Sequence, residues 1–439
     1  MGGADPEERQ ALQGIALPPR PSERGRPADA GGPTARRPAP PVRVVPGRGG
    51  RAPGDLPAPP PATMEEPART ECPAVRLTVE PHENADALEL AAVGGYRAVV
   101  VKGRYRTGDL AVYVPEGSVV PAHLQERLGL VGRLAGRQKN RVKAIRLRGV
   151  LLQGLVVPLE ADGTLVNGEG GAVAVREGED YAAHLGVEKY VPPVPASMAG
   201  AVWAAGQDRT LAYDVENVKR WPDALVPGER VVVTEKVHGT LLGVGVLPDP
   251  LAHPDHSRVV VFSKGLGAKG LAFDTSGGDA NLYTRVAADY GVADAVLGVF
   301  GDAQALDEPV FVVGEAFGAG VQDLHYGADA GAGRPGFRVF DVYVGRRGRG
   351  GYLDDAALDR ACAAMGLDRV PVLYRGPYSA AVLAELTDGA ESMTGAGAHL
   401  REGVVVRPAT EREDARFGRV QLKSVSEGYL TRKGGTEYT

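Results

Sequence analysis

Residues 230–240 read Arg-Val-Val-Val-Thr-Glu-Lys-Val-His-Gly-Thr, a β-branched run that ends on Glu235-Lys236-Val237-His238-Gly239. Val and Thr favour extended backbone and Gly punctuates it, so Lys236 is expected at the end of a strand rather than inside one. A lysine is informative in this chain. Its 50 basic residues divide into 10 Lys and 40 Arg. Compositional bias is enough to produce that ratio, but the consequence holds whatever the cause. Arg stays protonated, whereas a Lys amine can lose its proton and attack an electrophile. Each remaining Lys is therefore a candidate for chemistry that Arg cannot do. The Lys-x-x-Gly spacing of Lys236 and Gly239 is weak by itself among 61 glycines, and Lys264 in Ser263-Lys264-Gly265-Leu266-Gly267 satisfies it too.

Downstream, polar residues recur on apolar runs. Glu315 sits in FVVGEAF (311–317), Phe337 and Phe340 in GFRVFDVYV (336–344), Glu402 at the head of REGVVVRP (401–408) and Lys423 in RVQLKSV (419–425). Taken singly, a Glu at a strand end is ordinarily solvated and a strand Phe ordinarily core. Helical patterns fall between these runs, at 281–300 and 354–367, without strict β-α-β alternation, so the region reads as α+β. No G-x-x-x-x-G-K-[ST] occurs, which excludes a P-loop.

Upstream, AVRLTVE (74–80), YRAVVVK (96–102), DLAVYVP (109–115), VKAIRLRGV (142–150) and LLQGLVVPL (151–159) read as short strands separated by turn residues. Five such strands suit a small barrel, and an OB-fold is the expected form. Between 127 and 148 lie Arg127, Arg133, Arg137, Lys139, Arg141, Lys143, Arg146 and Arg148 with no acid. In a chain of formal charge −5, that run reads as a surface tracking a phosphate backbone. Residues 1–70 hold 16 of the 34 prolines, 10 Arg, no Lys and no aromatic residue, a composition that cannot bury enough apolar surface to fold. The expected organisation is a disordered Pro/Gly/Arg-rich tail at 1–70, an OB domain at 71–195 and a second domain at 196–439.

Two cysteines, Cys72 and Cys362, cannot build a disulfide scaffold or a four-cysteine zinc site. No run of 18 apolar residues marks a membrane span, and the N-terminus lacks a secretory pattern, so the expected compartment is the cytoplasm. Nothing implies an obligate protein partner.

As an ordered set, Lys236-x-x-Gly239, Ser263-Lys264-Gly265, Gly314-Glu315, Phe340-Asp341, Glu402-Gly403-Val404-Val405-Val406 and Leu422-Lys423 resemble the successive motifs of the covalent nucleotidyltransferase superfamily. The His before Gly239 is similar to the RNA ligase version. HENADALELAAVGGYRAVVVKGRYRTGDLAVYVPEGSVVP (82–121) separately resembles the N-terminal OB module of ATP-dependent RNA ligases of the Deinococcus type. The resemblance implies an OB-fold barrel followed by a nucleotidyltransferase (ATP-grasp-like) α+β domain with antiparallel sheets.

It also implies chemistry. Lys236 would attack the α-phosphate of ATP and hold AMP as a phosphoramidate, which requires its amine to be neutral. Lys423 would supply positive charge at that phosphate. Lys264 would touch ribose or phosphate, Glu315 the ribose hydroxyls, and one of Phe337 and Phe340 the adenine; Phe340, beside Asp341, is the preferred one. Glu235 would read the base, with His238 and Gly239 near the phosphates, and Glu402 would hold Mg²⁺ or Mn²⁺. AMP would pass to a 5′-phosphate, and a 3′-hydroxyl would displace it. The partner implied is nicked or broken RNA, alone or in a duplex with RNA or DNA, held on Arg133, Arg137, Lys139, Arg141, Lys143, Arg146 and Arg148.

Gln421 departs from the pattern, standing where many relatives place a second Lys two residues before Lys423. Only 16 residues follow Lys423, too few for the C-terminal OB domain of DNA ligases and capping enzymes. Two rivals stand: a DNA-sealing or capping-type nucleotidyltransferase, and a catalytically silent RNA-binding protein that reuses the fold.

Overall fold

In the computed structural model, which describes residues 70–249, 257–276, 280–301, 306, 308–318, 320–326, 334–394, 397–432 and 435, the run AVRLTVE is two strands. β1 (Ala74–Arg76) and β2 (Thr78–Pro81) part at Leu77, which turns its buried side chain into the core. The tail expected at 1–70 lies, but for its last residue, outside the described residues. Further along come β3 (Leu88–Val93), β4 (Tyr96–Val101), β5 (Leu110–Pro115), helix α1 (Ala122–Leu128), β6 (Ile145–Leu147), β7 (Val150–Leu152) and β8 (Gly154–Val157). One antiparallel sheet has the order β1-β5-β8 and another β2-β3-β4. β5 is buried on both faces. Val112 and Val114 join one apolar cluster, and Ala111 and Tyr113 join another, as period-two alternation requires.

Two details depart from the sequence reading. β3, whose LELAAV mixes Glu with Ala, gives no clear strand signal, yet it is the centre of its sheet. VKAIRLRGV is a hairpin rather than one strand. Arg148 and Gly149 both adopt positive φ (47° and 90°), as a two-residue type I′ turn needs, and join β6 to β7.

The second region contains β9 (Glu216–Asn217), β10 (Arg230–Glu235), β11 (Gly239–Val246), β12 (Val259–Ser263), α2 (Lys264–Lys269), α3 (Leu282–Asp289), α4 (Val292–Phe300), β13 (Val310–Phe317), β14 (Gly336–Val344), β15 (Gly351–Tyr352), α5 (Asp355–Met365), β16 (Val372–Pro377), α6 (Ala380–Thr387), β17 (Gly403–Pro408), β18 (Leu422–Val425) and α7 (Glu427–Leu430). They form two five-stranded sheets, in the orders β12-β11-β13-β14-β15 and β9-β18-β17-β10-β16. The expectation of antiparallel sheets needs one correction, because β9 pairs with β18 in parallel.

β11 shows why the first sheet can be covered on both faces. Leu242, Val244 and Val246 pack with α3, α4 and α5. Gly243 and Gly245 point the other way, where the rings of Phe262 and Phe311 cross the strand; a Cβ would come within 2.2 Å and 2.5 Å of them. The second sheet buries Val231, Val233, Val404, Val406 and Leu422. The chain passes from the second sheet to the first in the three residues between β10 and β11, which are Lys236, Val237 and His238.

Candidate active site

Lys236 therefore sits at the seam between two sheets, and its neighbours fix it to both. Its amide donates to Gly403 O at 2.9 Å, and the Glu235 amide donates to Pro371 O at 2.9 Å. The His238 amide donates instead to a side chain, Tyr326 Oη, at 2.6 Å. Gly239 crosses β13 so closely that a Cβ there would meet Ala316 O at 2.1 Å, which is why only Gly serves at that position.

Lys236 Nζ donates to Glu402 Oε1 at 2.6 Å. Burial pushes the Glu402 carboxyl up, but the Lys236 ammonium and the His238 ring outweigh it and hold the group down at about 2. His238 is clasped on both nitrogens, by Asp323 Oδ1 at 2.7 Å from Nε2 and by Tyr429 Oη at 2.9 Å from Nδ1. Asp323 is in turn gripped by Arg432, with contacts of 3.1 Å to both oxygens.

Glu315 on β13 lies opposite Leu241 of β11. Burial pushes its carboxyl up to about 8, opposed by the charge of Lys236. Lys423 pairs with Val405 across β17 and β18. Its ammonium is weakened first by burial, then by the nearby charges of Lys264 and Lys236, so the three lysines share one neighbourhood. Lys264 opens α2 and is more exposed, with Asp214 Oδ1 at 2.7 Å.

A β-bulge sets the two phenylalanines in different surroundings. Val313 pairs with Asp341 and Gly314 with Val339, leaving Phe340 as the extra residue, partly exposed and 5.0 Å from the Tyr213 ring. Phe337 is 1% exposed, packed across Gly314, and belongs to the core. Asp341 is fully buried against Arg407 and Arg419. Gln421 is committed to the same network through Tyr213 and Asp341, at 3.0 and 3.3 Å.

Glu235 is buried with its Oε2 held by the Ser392 amide at 2.8 Å and by the Ser392 hydroxyl. Its Oε1 is buried without a hydrogen-bond partner among the described residues. Asp323, Tyr326, Ser392, Tyr429 and Arg432 carried no sequence signal, since each comes from a segment distant in the chain.

On the N-terminal domain, Arg133, Arg137, Lys139, Lys143, Arg146 and Arg148 are exposed. Arg141 differs from them: it is 9% exposed and its guanidinium lies 3.7 Å over the Tyr190 ring. Arg127 is spent on Glu160 and on the carbonyls of Pro158 and Val166. Arg146 reaches the second region, donating to Glu427 Oε2 of α7 at 2.6 Å, two residues before the Tyr429 that holds His238. No helix among the described residues is long and apolar enough to cross a membrane.

No group of three or more His, Cys, Asp or Glu suited to holding a metal by protein ligands alone occurs among the described residues. Mg²⁺ and Mn²⁺ do not need one beside phosphates, where one or two carboxylates, phosphate oxygens and waters suffice. Glu402 Oε2 fits that demand, as a buried carboxylate oxygen without a hydrogen-bond partner among the described residues, facing His238 Nδ1 at 3.4 Å.

Residues 229–425 match the family model for RNA ligase, and residues 75–159 match an OB-fold domain. No curated protein sequence matches the chain. Among solved structures, the Naegleria gruberi RNA ligase with PPi is 20% identical with a TM-score of 0.63, covering 83% of this chain and 98% of that one. A mutant of that ligase with ATP and Mn is 19% identical and another with AMP and Mn is 20% identical, each with a TM-score of 0.63 and covering 82% of this chain and 98% of its own. At these identities the likeness fixes the fold, an OB-fold domain followed by an α+β domain.

Proposed function

We propose that this chain, whose residues 229–425 match the RNA ligase family model, is an ATP-dependent RNA ligase that seals 3′-hydroxyl/5′-phosphate breaks through a Lys236–AMP intermediate. The observation that carries the reading is the Lys236–Glu402 pair at the seam between the sheets, with Glu315, Lys423 and Lys264 gathered around it.

The unprotonated Lys236 amine attacks the α-phosphorus of ATP, a Nζ–P bond forms, and pyrophosphate leaves with the broken P–O bond's electrons. The lysine's surplus proton goes to solvent. Lys423 and Lys264 set positive charge where the phosphoryl oxygens gain negative charge, a stabilisation strongest in a partly dry site. Phe340, aimed by its bulge, offers the face on which adenine stacks, and Glu235 stands ready at the base edge. Glu315 binds the ribose hydroxyls. Glu402 would hold Mg²⁺ or Mn²⁺, and the bound ion would offset phosphate charge. The same residues then present AMP to a 5′-phosphate, and a 3′-hydroxyl displaces it. Each step is displacement at phosphorus, so positioning dominates.

The nucleic acid is broken RNA, paired with RNA or DNA, lying along the exposed Arg133, Arg137, Lys139, Lys143 and Arg148. The Arg146–Glu427 contact joins that surface to the edge of the site. Both cysteines are free and buried, which suits work in the reducing cytoplasm. Sealing assays on nicked duplexes with RNA or DNA on each side of the break test the reading. RNA on the 3′-hydroxyl side should be sealed best, and sealing of DNA nicks alone would contradict the reading.

A further inference from the structure

Two side chains from the segments after β13 and after α6 grip the lysine-bearing connection on either side of Lys236. On one side, Ser392 donates through its amide and its hydroxyl to Glu235 Oε2, so the carboxylate preceding the lysine is pinned. On the other, Tyr326 Oη receives the His238 amide at 2.6 Å. The two grips are themselves joined. The Tyr326 amide donates to His399 Nε2 at 3.2 Å, and the His399 ring packs edge-on against the Tyr326 ring, centroids 4.5 Å apart. His399 lies seven residues after Ser392. Its Nδ1 faces Leu400 O at 2.8 Å, which fixes the tautomer that leaves Nε2 as the acceptor.

Tyr326 is held in an unusual way. It is fully buried, and its φ is +53°, a left-handed conformation that costs a non-glycine residue free energy. Such a residue persists only where its surroundings over-determine it, and such positions cluster at functional sites. Here the surroundings are the His399 bond, the Phe317 ring at 5.3 Å and the His238 amide. With the hydroxyl gone, the His238 amide, on a residue 5% exposed, would be left without its acceptor and the connection would be free to turn.

We infer that Tyr326 and Ser392 are positioning residues for Lys236: they hold residues 235 and 238 so that Nζ points in line at the α-phosphorus. In-line attack needs the reacting atoms roughly 3–3.5 Å apart and aligned. A pivot of the connection would cost rate without removing any group that touches ATP. The inference rests on Lys236 being the nucleophile and names two residues that act through it.

The test is single-turnover formation of the protein–AMP adduct from α-labelled ATP with Mn²⁺, comparing wild type with Tyr326→Phe, Ser392→Ala and Ser392→Thr. The rate constant at saturating ATP, the ATP concentration for half-maximal rate, the labelled fraction and the melting temperature are all read. Tyr326→Phe should slow the saturated rate by about tenfold, shifting the half-maximal ATP concentration by less than about twofold. Ser392→Ala should slow it by a smaller factor, and Ser392→Thr should restore it. A merely structural role would lower the labelled fraction or the melting temperature and leave the rate constant of the active molecules alone. That result, or an unchanged rate in Tyr326→Phe, overturns the inference while leaving the ligase reading intact. Absence of label in the wild type defeats the reading itself.

Discussion

Lys236 and Glu402 are 166 residues apart in the chain, yet Nζ of one lies 2.6 Å from Oε1 of the other. The contact exists because β10 and β17 are neighbours in one sheet and the chain leaves that sheet at Lys236. The amide of Lys236 also bonds the carbonyl of Gly403, next to Glu402, so backbone and side chain are registered together.

The two phenylalanines of β14 should separate binding from stability. Phe337→Ala empties a core position and should cost roughly 3–5 kcal/mol, read as a lower denaturation midpoint. Phe340→Ala should leave the midpoint nearly unchanged and raise the ATP concentration needed for half-maximal labelling. Equal loss of stability in both variants would contradict the placement of Phe340 at the site.

Glu315 and Glu402 should leave opposite marks on the pH dependence of stability. An unfolded Glu titrates near about 4.3. Glu315, pushed to about 8, keeps its proton in the folded state between those values, so its contribution is present below the unfolded value and is lost as pH rises toward 8. Glu402, held at about 2, contributes above the unfolded value and loses that contribution as pH falls toward 2. Melting of wild type against Glu315→Gln should therefore show the wild type losing ground from pH 5 to pH 8. Against Glu402→Gln it should lose ground only in acid.

On the N-terminal domain, exposed and buried cations should behave differently. Arg137→Ala or Lys143→Ala should weaken RNA binding and lower the slope of log affinity against log salt by about 1 each, with AMP labelling unchanged. Arg141→Ala should instead lower the melting temperature, because its guanidinium packs on Tyr190. Fluorescence anisotropy over a salt series, alongside thermal melts, distinguishes the two.

These contrasts mark what the sequence could and could not disclose. The strands that lead to Lys236 and that carry Glu315, Phe340 and Lys423 were legible, as were the three lysines, because β-branched runs ending on polar residues leave a local pattern. The order of Glu315, Glu402 and Lys423 along the chain was enough to place them together once a family resemblance supplied the pairing. The clasp on His238 was not legible. Asp323 and Arg432 lie in short irregular segments and Tyr429 in the four-residue helix α7, and nothing local says that they meet one histidine. The burial of Arg141 was hidden for a related reason, since in a run of eight cations spacing cannot show which one packs on an aromatic ring. The parallel pairing of β9 with β18 escaped because two residues carry no periodicity.

The most direct measurement is retention of label after incubation with α-labelled ATP and Mn²⁺, followed by denaturation, in wild type, Lys236→Arg and Lys264→Ala. Arg keeps the charge and cannot act as the nucleophile. Wild type and Lys264→Ala should retain covalent AMP, and Lys236→Arg should retain none. Label kept in Lys236→Arg, or none in the wild type, would contradict Lys236 as the residue that carries AMP.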